Sequence, residues 1–251
     1  FLGDFWQSVA GDIRTTTWAA QVGADRWLGA ALARDNAAVV LLHSLTLHTA
    51  PVGALYLLMR VFALLQEPDW MQALFDGQSA QALALKPDDY DVEIWRLAIA
   101  HLDRYGGTRL LLPDSLPPML RPREAQEEGT KYWPYWLEQI LHICPNCLEA
   151  LTTAVNFLSP RWGGSHETTQ AFIEGPQCAA LTEEQRGDLW WEKEHDYLEN
   201  LPDHDDKEEI TLHRAAYLQL LKRPLLTSTR IVLLLCYGEF QSYICNEIPQ
   251  Y

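Results

Sequence analysis

Prolines recur along this chain where helices would begin, and between them apolar side chains repeat every three or four positions instead of every two. Period-2 alternation never persists, and Asp76-Gly77 is the one Asp-Gly or Asn-Gly hairpin pair, so sheets are not expected. In the first part of the chain the pattern predicts helices over 15–34, 36–47, 51–66, 69–85 and 90–105. Trp18, Val22, Trp27, Leu28, Ala31 and Leu32 share a face of the first, with Thr15 or Thr16 as its cap, and Asn36 is read as the cap of the second. Pro51 and Pro68 open the next two, because Pro at the first helical position gives up an amide hydrogen that has no intrahelical acceptor. Lys86-Pro87-Asp88-Asp89 reads as a stop followed by a capped start.

Four prolines between Pro113 and Pro122, with Gly106, Gly107 and Gly129, make 106–129 a long surface loop. Helices resume over 131–144, 146–158 and 166–174, the last capped by Ser165. Thr182-Glu183-Glu184-Gln185 has the capping-box form and opens a helix to Glu199; Asp203 caps another to Lys222, and a final one follows Pro224 over 225–237. About eleven helices result. The junctions at Leu85-Lys86-Pro87-Asp88 and at Cys144-Pro145-Asn146 resemble those of tetratricopeptide-type repeats. The expected fold is therefore all-α: antiparallel helix pairs stacked as a tetratricopeptide-like αα superhelix. A single α-helical domain would span 1–251, with the Pro/Gly-rich loop at about 106–129 between two helical halves.

With 251 residues and 48% apolar content, the chain can fill a core. Its most apolar stretch, Ala37 to Leu65, is interrupted by His43, His48, Pro51 and Arg60, short of the roughly 20 residues that span a bilayer, so no membrane is expected as a partner. Five cysteines are not a disulfide framework, and free thiols favour a reducing compartment. The cytoplasm is the expected location. The chain opens at Phe1 rather than Met, so the true start is expected upstream, and a removed leader would make the location periplasmic.

Charge is the strongest functional signal. Lys and Arg total 19 against 34 Asp and Glu, and the net charge of −15 disfavours nucleic acid and favours a basic protein partner. Between Glu183 and Glu209 stand 12 acidic and three basic residues, so most of the excess lies in one segment. Trp190, Trp191 and Tyr197 are interleaved with them. Carboxylates around an aromatic anchor make a recognition patch, since the ring contributes desolvated area while the charges select the partner. The candidate partner-binding residues are Trp191, Glu192, Glu194, Asp196, Tyr197, Asp203, Asp205 and Asp206. The alternative is a solvated helix face with its tryptophans in the core.

Bond-making constellations are weaker. Cys144-Pro145-Asn146-Cys147 has CxxC spacing but lacks the βαβ setting of a redox motif and a second pair for zinc, so an inter-helix turn is preferred. Glu192 and His195 lack the second Glu-x-x-His of a di-metal bundle, and Asp203-His204-Asp205-Asp206 reads as a hydrated helix start. Gly163-Gly164 is explained by close packing of two helices. No phosphate loop, nucleophile elbow or His-Glu-x-x-His occurs, and neither catalytic residues, a metal nor a cofactor is expected.

The segment Ser159-Pro160-Arg161-Trp162-Gly163-Gly164-Ser165-His166-Glu167 resembles the signature of a bacterial family whose domain of unknown function is built from helical repeats. Members of that family often lie near secreted toxins, and in that setting the acidic chain resembles type VI secretion immunity proteins. The resemblance implies a cognate toxin or effector with a basic surface, of the nuclease class, neutralised by protein–protein contact, and carries over no catalytic residues. A helical-repeat scaffold for short peptides and an enzyme with an unrecognised metal or thiol site are the competing classes.

Overall fold

The computed structural model describes residues 2–16, 19–47, 51–62, 67–123, 131–199 and 207–247. Among them are eleven α-helices, five short 3-10 turns and no strand, so the chain is all-α. It divides into two compact units, Phe1–Ile143 and Cys144–Tyr251. The division falls at the Cys144-Pro145 turn and not in the Pro/Gly-rich segment where the two halves were expected to part.

Unit 1 contains α1 (Leu2–Arg14), α2 (Ala24–Leu47), α3 (Val52–Val61), α4 (Asp69–Phe75), α5 (Val92–Asp103) and α6 (Trp133–Ile143). At 24 residues, or about 36 Å, α2 is the axis on which α1, α3 and α5 pack, while α6 packs on α3. Asp35, Asn36, Ala37 and Ala38 are consecutive and all buried, so α2 is enclosed on every side at its middle. The expected helices over 15–34 and 36–47 are corrected accordingly. Thr15 takes a left-handed conformation, φ 67°, which ends α1, and the Arg26 guanidinium donates to the Ile13 carbonyl at 3.0 Å, satisfying α1's open end. Trp18 lies outside the described residues.

Asn36 is not a cap. Only 1% exposed, it donates through Nδ2 to the Thr108 carbonyl at 3.1 Å and accepts at Oδ1 from the Leu110 amide at 2.8 Å. One side-chain amide thus gives both partners that an extended backbone needs. The expected surface loop is therefore tied down along 107–112. Gln81 donates to the Leu112 carbonyl at 2.9 Å, and the Arg109 guanidinium donates to the carbonyl of Leu85. Gly107 lies so close to the Trp6 ring that a Cβ would stand 1.9 Å from it. Residues 124–130 of that segment lie outside the described ones.

A second buried tie anchors the far end of the same segment. The Arg123 guanidinium meets the Glu67 carboxylate in a bidentate pair whose side chains are almost wholly enclosed, and also donates to Gln72 Oε1 at 2.8 Å. Trp136 Nε1 donates to Glu67 at 3.1 Å, and the Arg123 cation lies 3.9 Å from the Phe75 ring centroid and 5.4 Å from that of Tyr135.

Unit 2 contains α7 (Leu148–Phe157), α8 (His166–Glu174), α9 (Glu183–Glu199), α10 (Lys207–Leu221) and α11 (Thr227–Glu247). Here α9 is the axis, touched by α7, α8, α10 and α11. Leu151, Val155, Ile173, Leu189, Leu198, Tyr217, Leu233 and Phe240 form the core. The caps at Ser165 and Thr182 are present as expected. Ser165 Oγ accepts from the Thr168 amide at 3.1 Å, and Thr182 and Gln185 satisfy each other's amides at 3.0 and 3.2 Å. At α5 the cap is Asp91, which accepts from the Glu93 and Ile94 amides at 2.9 and 3.2 Å, two residues beyond the expected start.

Two stability experiments follow from the buried ties of unit 1. Arg123→Ala leaves the Glu67 carboxylate buried and unpaired, and is expected to cost about 3–5 kcal/mol in urea unfolding; an unchanged midpoint would place Glu67 in water. Asp35, next to Asn36 on α2, is 5% exposed, and burial pushes its carboxyl up to about 6, against the Trp70 hydrogen bond and the charges of Arg109 and Arg34 that lower it. The native carboxyl holds its proton more tightly than the unfolded one, whose ordinary value is 3.8. Its contribution therefore favours folding below the unfolded value and is lost as pH rises through about 6, some ~3 kcal/mol in all. In Asp35→Asn that part of the pH slope is expected to vanish from thermal melts.

Candidate functional site

The acidic helix α9 uses its charges more internally than a free patch would. Glu183 and Glu184, in its first turn, are exposed, where carboxylates complement the helix dipole. Asp188 is half-buried and accepts from the Leu226 amide at 3.4 Å, at the start of α11, and burial pushes its carboxyl up. Glu192 is half-buried and accepts from Asn156 Nδ2 at 2.8 Å, joining α9 to α7. Glu194 pairs with Lys193 at 2.5 Å.

Trp191, the expected anchor, is 9% exposed and its ring meets that of His195 edge-on at 5.0 Å. It contributes to the unit's interior and offers a partner little surface. Trp190 is equally enclosed, with the Arg223 guanidinium 4.3 Å and the Lys193 ammonium 5.7 Å from its ring centroid. Asp196 and Tyr197 lie on α9, but their side chains are outside the described ones, as are residues Asp203, Asp205 and Asp206 altogether.

Among the described residues of unit 2, the exposed aromatic is Trp162, 41% exposed, in the turn between α7 and α8. Ser159 begins a 3-10 turn over Pro160–Trp162, closed by Trp162, Gly163 and Gly164 amides that donate to the Ser159, Pro160 and Ser159 carbonyls at 3.0, 3.1 and 3.1 Å. Gly163 has φ 80°, which favours glycine, and Gly164 lies so close to α7 that a Cβ would stand 1.8 Å from the Leu158 carbonyl oxygen. The expected close packing thus holds for Gly164, whereas Gly163 serves a left-handed turn. The Arg161 guanidinium lies 6.0 Å from the Trp162 ring centroid.

Beside this turn is a cleft of about 290 Å3, bounded by Ser159, Arg161, His166, Glu192 and Lys193. At its edge Glu167 opens α8, and its own amide together with the Ser165 hydroxyl holds its carboxyl below the usual range. An exposed indole, both signs of charge and a shallow depression therefore occur together. This arrangement can bury an apolar group of a partner and exchange charged hydrogen bonds around it. Of the expected residues, Glu192 belongs to it.

The other constellations remain dispersed. Cys144 and Cys147 close a turn, with the Cys147 amide donating to the Cys144 carbonyl at 3.1 Å, and burial pushes the Cys147 thiol up, opposite to an activated thiolate. No three His, Cys, Asp or Glu side chains converge as for a metal ion among the described residues. Among the same residues, no helix is long and apolar enough to cross a membrane.

Residues 1–192 match a family described as a domain of unknown function (DUF4034), and the chain belongs to that family. The match takes in unit 1, α7, α8 and the first part of α9 through Glu192; α10 and α11 lie beyond it. No curated protein and no solved structure matches the chain.

The turn that presents Trp162 is open to test. Gly164→Ala forces the added Cβ into the Leu158 backbone and is expected to lower stability by about 1–3 kcal/mol, while Gly163→Ala loses only the left-handed preference, about 1 kcal/mol. Thermal melts showing both variants equal to the parent would refute this backbone.

Proposed function

We propose that this member of the DUF4034 family is an immunity protein of the type VI secretion kind, which binds a cognate secreted toxin and neutralises it by protein–protein contact. The observation that carries the reading is the exposed Trp162 next to Arg161, whose turn borders a cleft lined by Arg161, Glu192 and Lys193, within a segment resembling that of helical-repeat proteins encoded near toxins. The net charge of −15 supports a basic effector, such as a nuclease, whose own surface must attract phosphate.

In this reading the two features divide the task. The negative field accelerates encounter and fades with added salt, as screening shortens its range to about 8–10 Å. The Trp162 indole supplies contact that holds the complex once formed, because an aromatic desolvated at the centre of an interface dominates its dissociation. Bound at the catalytic face, the protein would exclude substrate; bound elsewhere, it would block assembly or delivery.

The reading is tested by co-expressing the chain with the product of its neighbouring gene, and measuring growth rescue and complex formation. Trp162→Ala is expected to weaken the complex about tenfold or more, mainly through faster dissociation. Glu192→Lys with Glu194→Lys is expected to slow association at low salt and to matter less at high salt. A neighbouring product that is not toxic, or toxicity unrelieved by the chain, refutes immunity. Full affinity in both variants would place the contact on another surface.

A further inference from the structure

The Cys144-Pro145-Asn146-Cys147 turn takes no part in the surface described above. It joins α6 to α7, where the chain passes from unit 1 to unit 2. The Cys147 amide donates to the Cys144 carbonyl at 3.1 Å, and a four-residue turn closed in this way brings its end Cα atoms within about 7 Å. A disulfide spans about 4.4–6.8 Å between the same atoms. Pro145 fixes a backbone angle inside the turn, so the ends stay close without help from the sulfurs.

The state of the thiols is informative. Both are free and half-buried, within reach of a small reagent, whereas Cys178 is fully enclosed. They also interact with each other. Burial pushes the Cys147 thiol up, and the neighbouring Cys144 thiol and Glu149 carboxylate add to this against the Ala150 amide. Cys144 Sγ donates to Asn146 Oδ1 at 3.6 Å, a weak bond that water replaces when it is lost, because Asn146 is exposed. A thiol–disulfide oxidoreductase stabilises a thiolate, which makes its disulfide a strong oxidant; here the thiolate is disfavoured, so a disulfide once formed is retained. A metal would need further ligands, and among the described residues no third His, Cys, Asp or Glu converges on the pair.

We propose that Cys144 and Cys147 are a reversible modification site, at which exchange with a small disulfide such as glutathione disulfide closes an intramolecular Cys144–Cys147 bond. The Cys144 thiolate attacks one sulfur of glutathione disulfide, forming a mixed disulfide and releasing the first glutathione. Cys147 then gives up its proton and attacks the Cys144 sulfur, breaking the mixed bond and releasing the second. Two protein thiols are oxidised, one disulfide is reduced to two thiols, and the two protons end on the two glutathiones. Cys147 takes the second attack because an adjacent partner offsets its small thiolate fraction. The site does not depend on the toxin-binding reading.

The full chain is equilibrated in glutathione buffers containing millimolar glutathione disulfide, quenched with acid, alkylated and digested with trypsin. No Lys or Arg stands between Lys131 and Arg161, so one peptide, 132–161, carries both of these cysteines and no other. Its unalkylated form, lighter than the dithiol by two hydrogens, is expected to be the main species, and to return to the dithiol in excess reduced glutathione. Cys147→Ser is expected to raise the glutathione adduct on Cys144 about tenfold or more over the parent, since the closing attack is lost. Cys144→Ser is expected to slow modification of Cys147 about tenfold or more relative to closure in the parent. Should either variant fail to fold, the parent peptide alone decides the matter. A parent peptide that stays dithiol, a glutathione adduct that persists in the parent, or no rise of that adduct in Cys147→Ser would each overturn the proposal.

Discussion

The enclosed middle of α2 is the constraint on which unit 1 depends. A helix buried on every side can meet its neighbours in two ways: small residues let them approach, or polar residues bond to them. Ala30, Ala33, Ala37 and Ala38 serve the first purpose, and Asp35 and Asn36 the second. Because a buried amide or carboxylate left open is costly, the two polar residues dictate what must lie beside them. Asn36 requires a stretch of extended backbone, which residues 108–110 supply, and Asp35 requires an indole N–H, which Trp70 supplies. The Pro-rich segment can then run without regular structure because its polar groups are answered by side chains.

This also explains which parts of the fold were legible in the sequence. Ser165 and Thr182 bond to residues three positions on, so local chemistry identified the starts of α8 and α9. Asn36 looked like a cap because its side chain competes well for exposed amides, yet its partners lie 72 and 74 residues away, and no local pattern reports them. The break at Thr15 was hidden for the same reason. The residue that completes the end of α1 is Arg26, across the turn and on the next helix. The number of helices agreed with expectation partly by compensation: α1 was missed, while α2 was divided in two.

For the candidate site, the sequence located charge but not its direction. Carboxylates do line α9, but Asp188 accepts from the start of α11 and Glu192 from α7, so these two groups hold helices together. The burial of Trp191 did leave a signal. Gly187, Trp191 and Leu198 stand four and seven positions apart, one stripe of a helix, and all three are buried. Trp162 carried a different cue: a tryptophan followed by two glycines and a Ser cap sits in a tight turn, where a large ring has few neighbours to cover it.

The internal use of these carboxylates bears on how an acidic protein recognises a basic one. A carboxylate already hydrogen-bonded to Asn156 or paired with Lys193 has less to gain from a new direct contact, since the old partner must be given up. Its charge, however, still contributes to the field beyond the surface, because a neutral amide donor leaves that charge uncancelled. Glu194, beside the Lys193 ammonium, loses much of its own long-range influence. Specific contact falls to groups held rigidly and outward. The Trp162 turn is such a group, its backbone closed by three hydrogen bonds, so ordering it in a complex sacrifices little further entropy. On the proposed reading, speed of encounter and strength of hold fall to different residues of unit 2, and the acidic composition alone determines only the first.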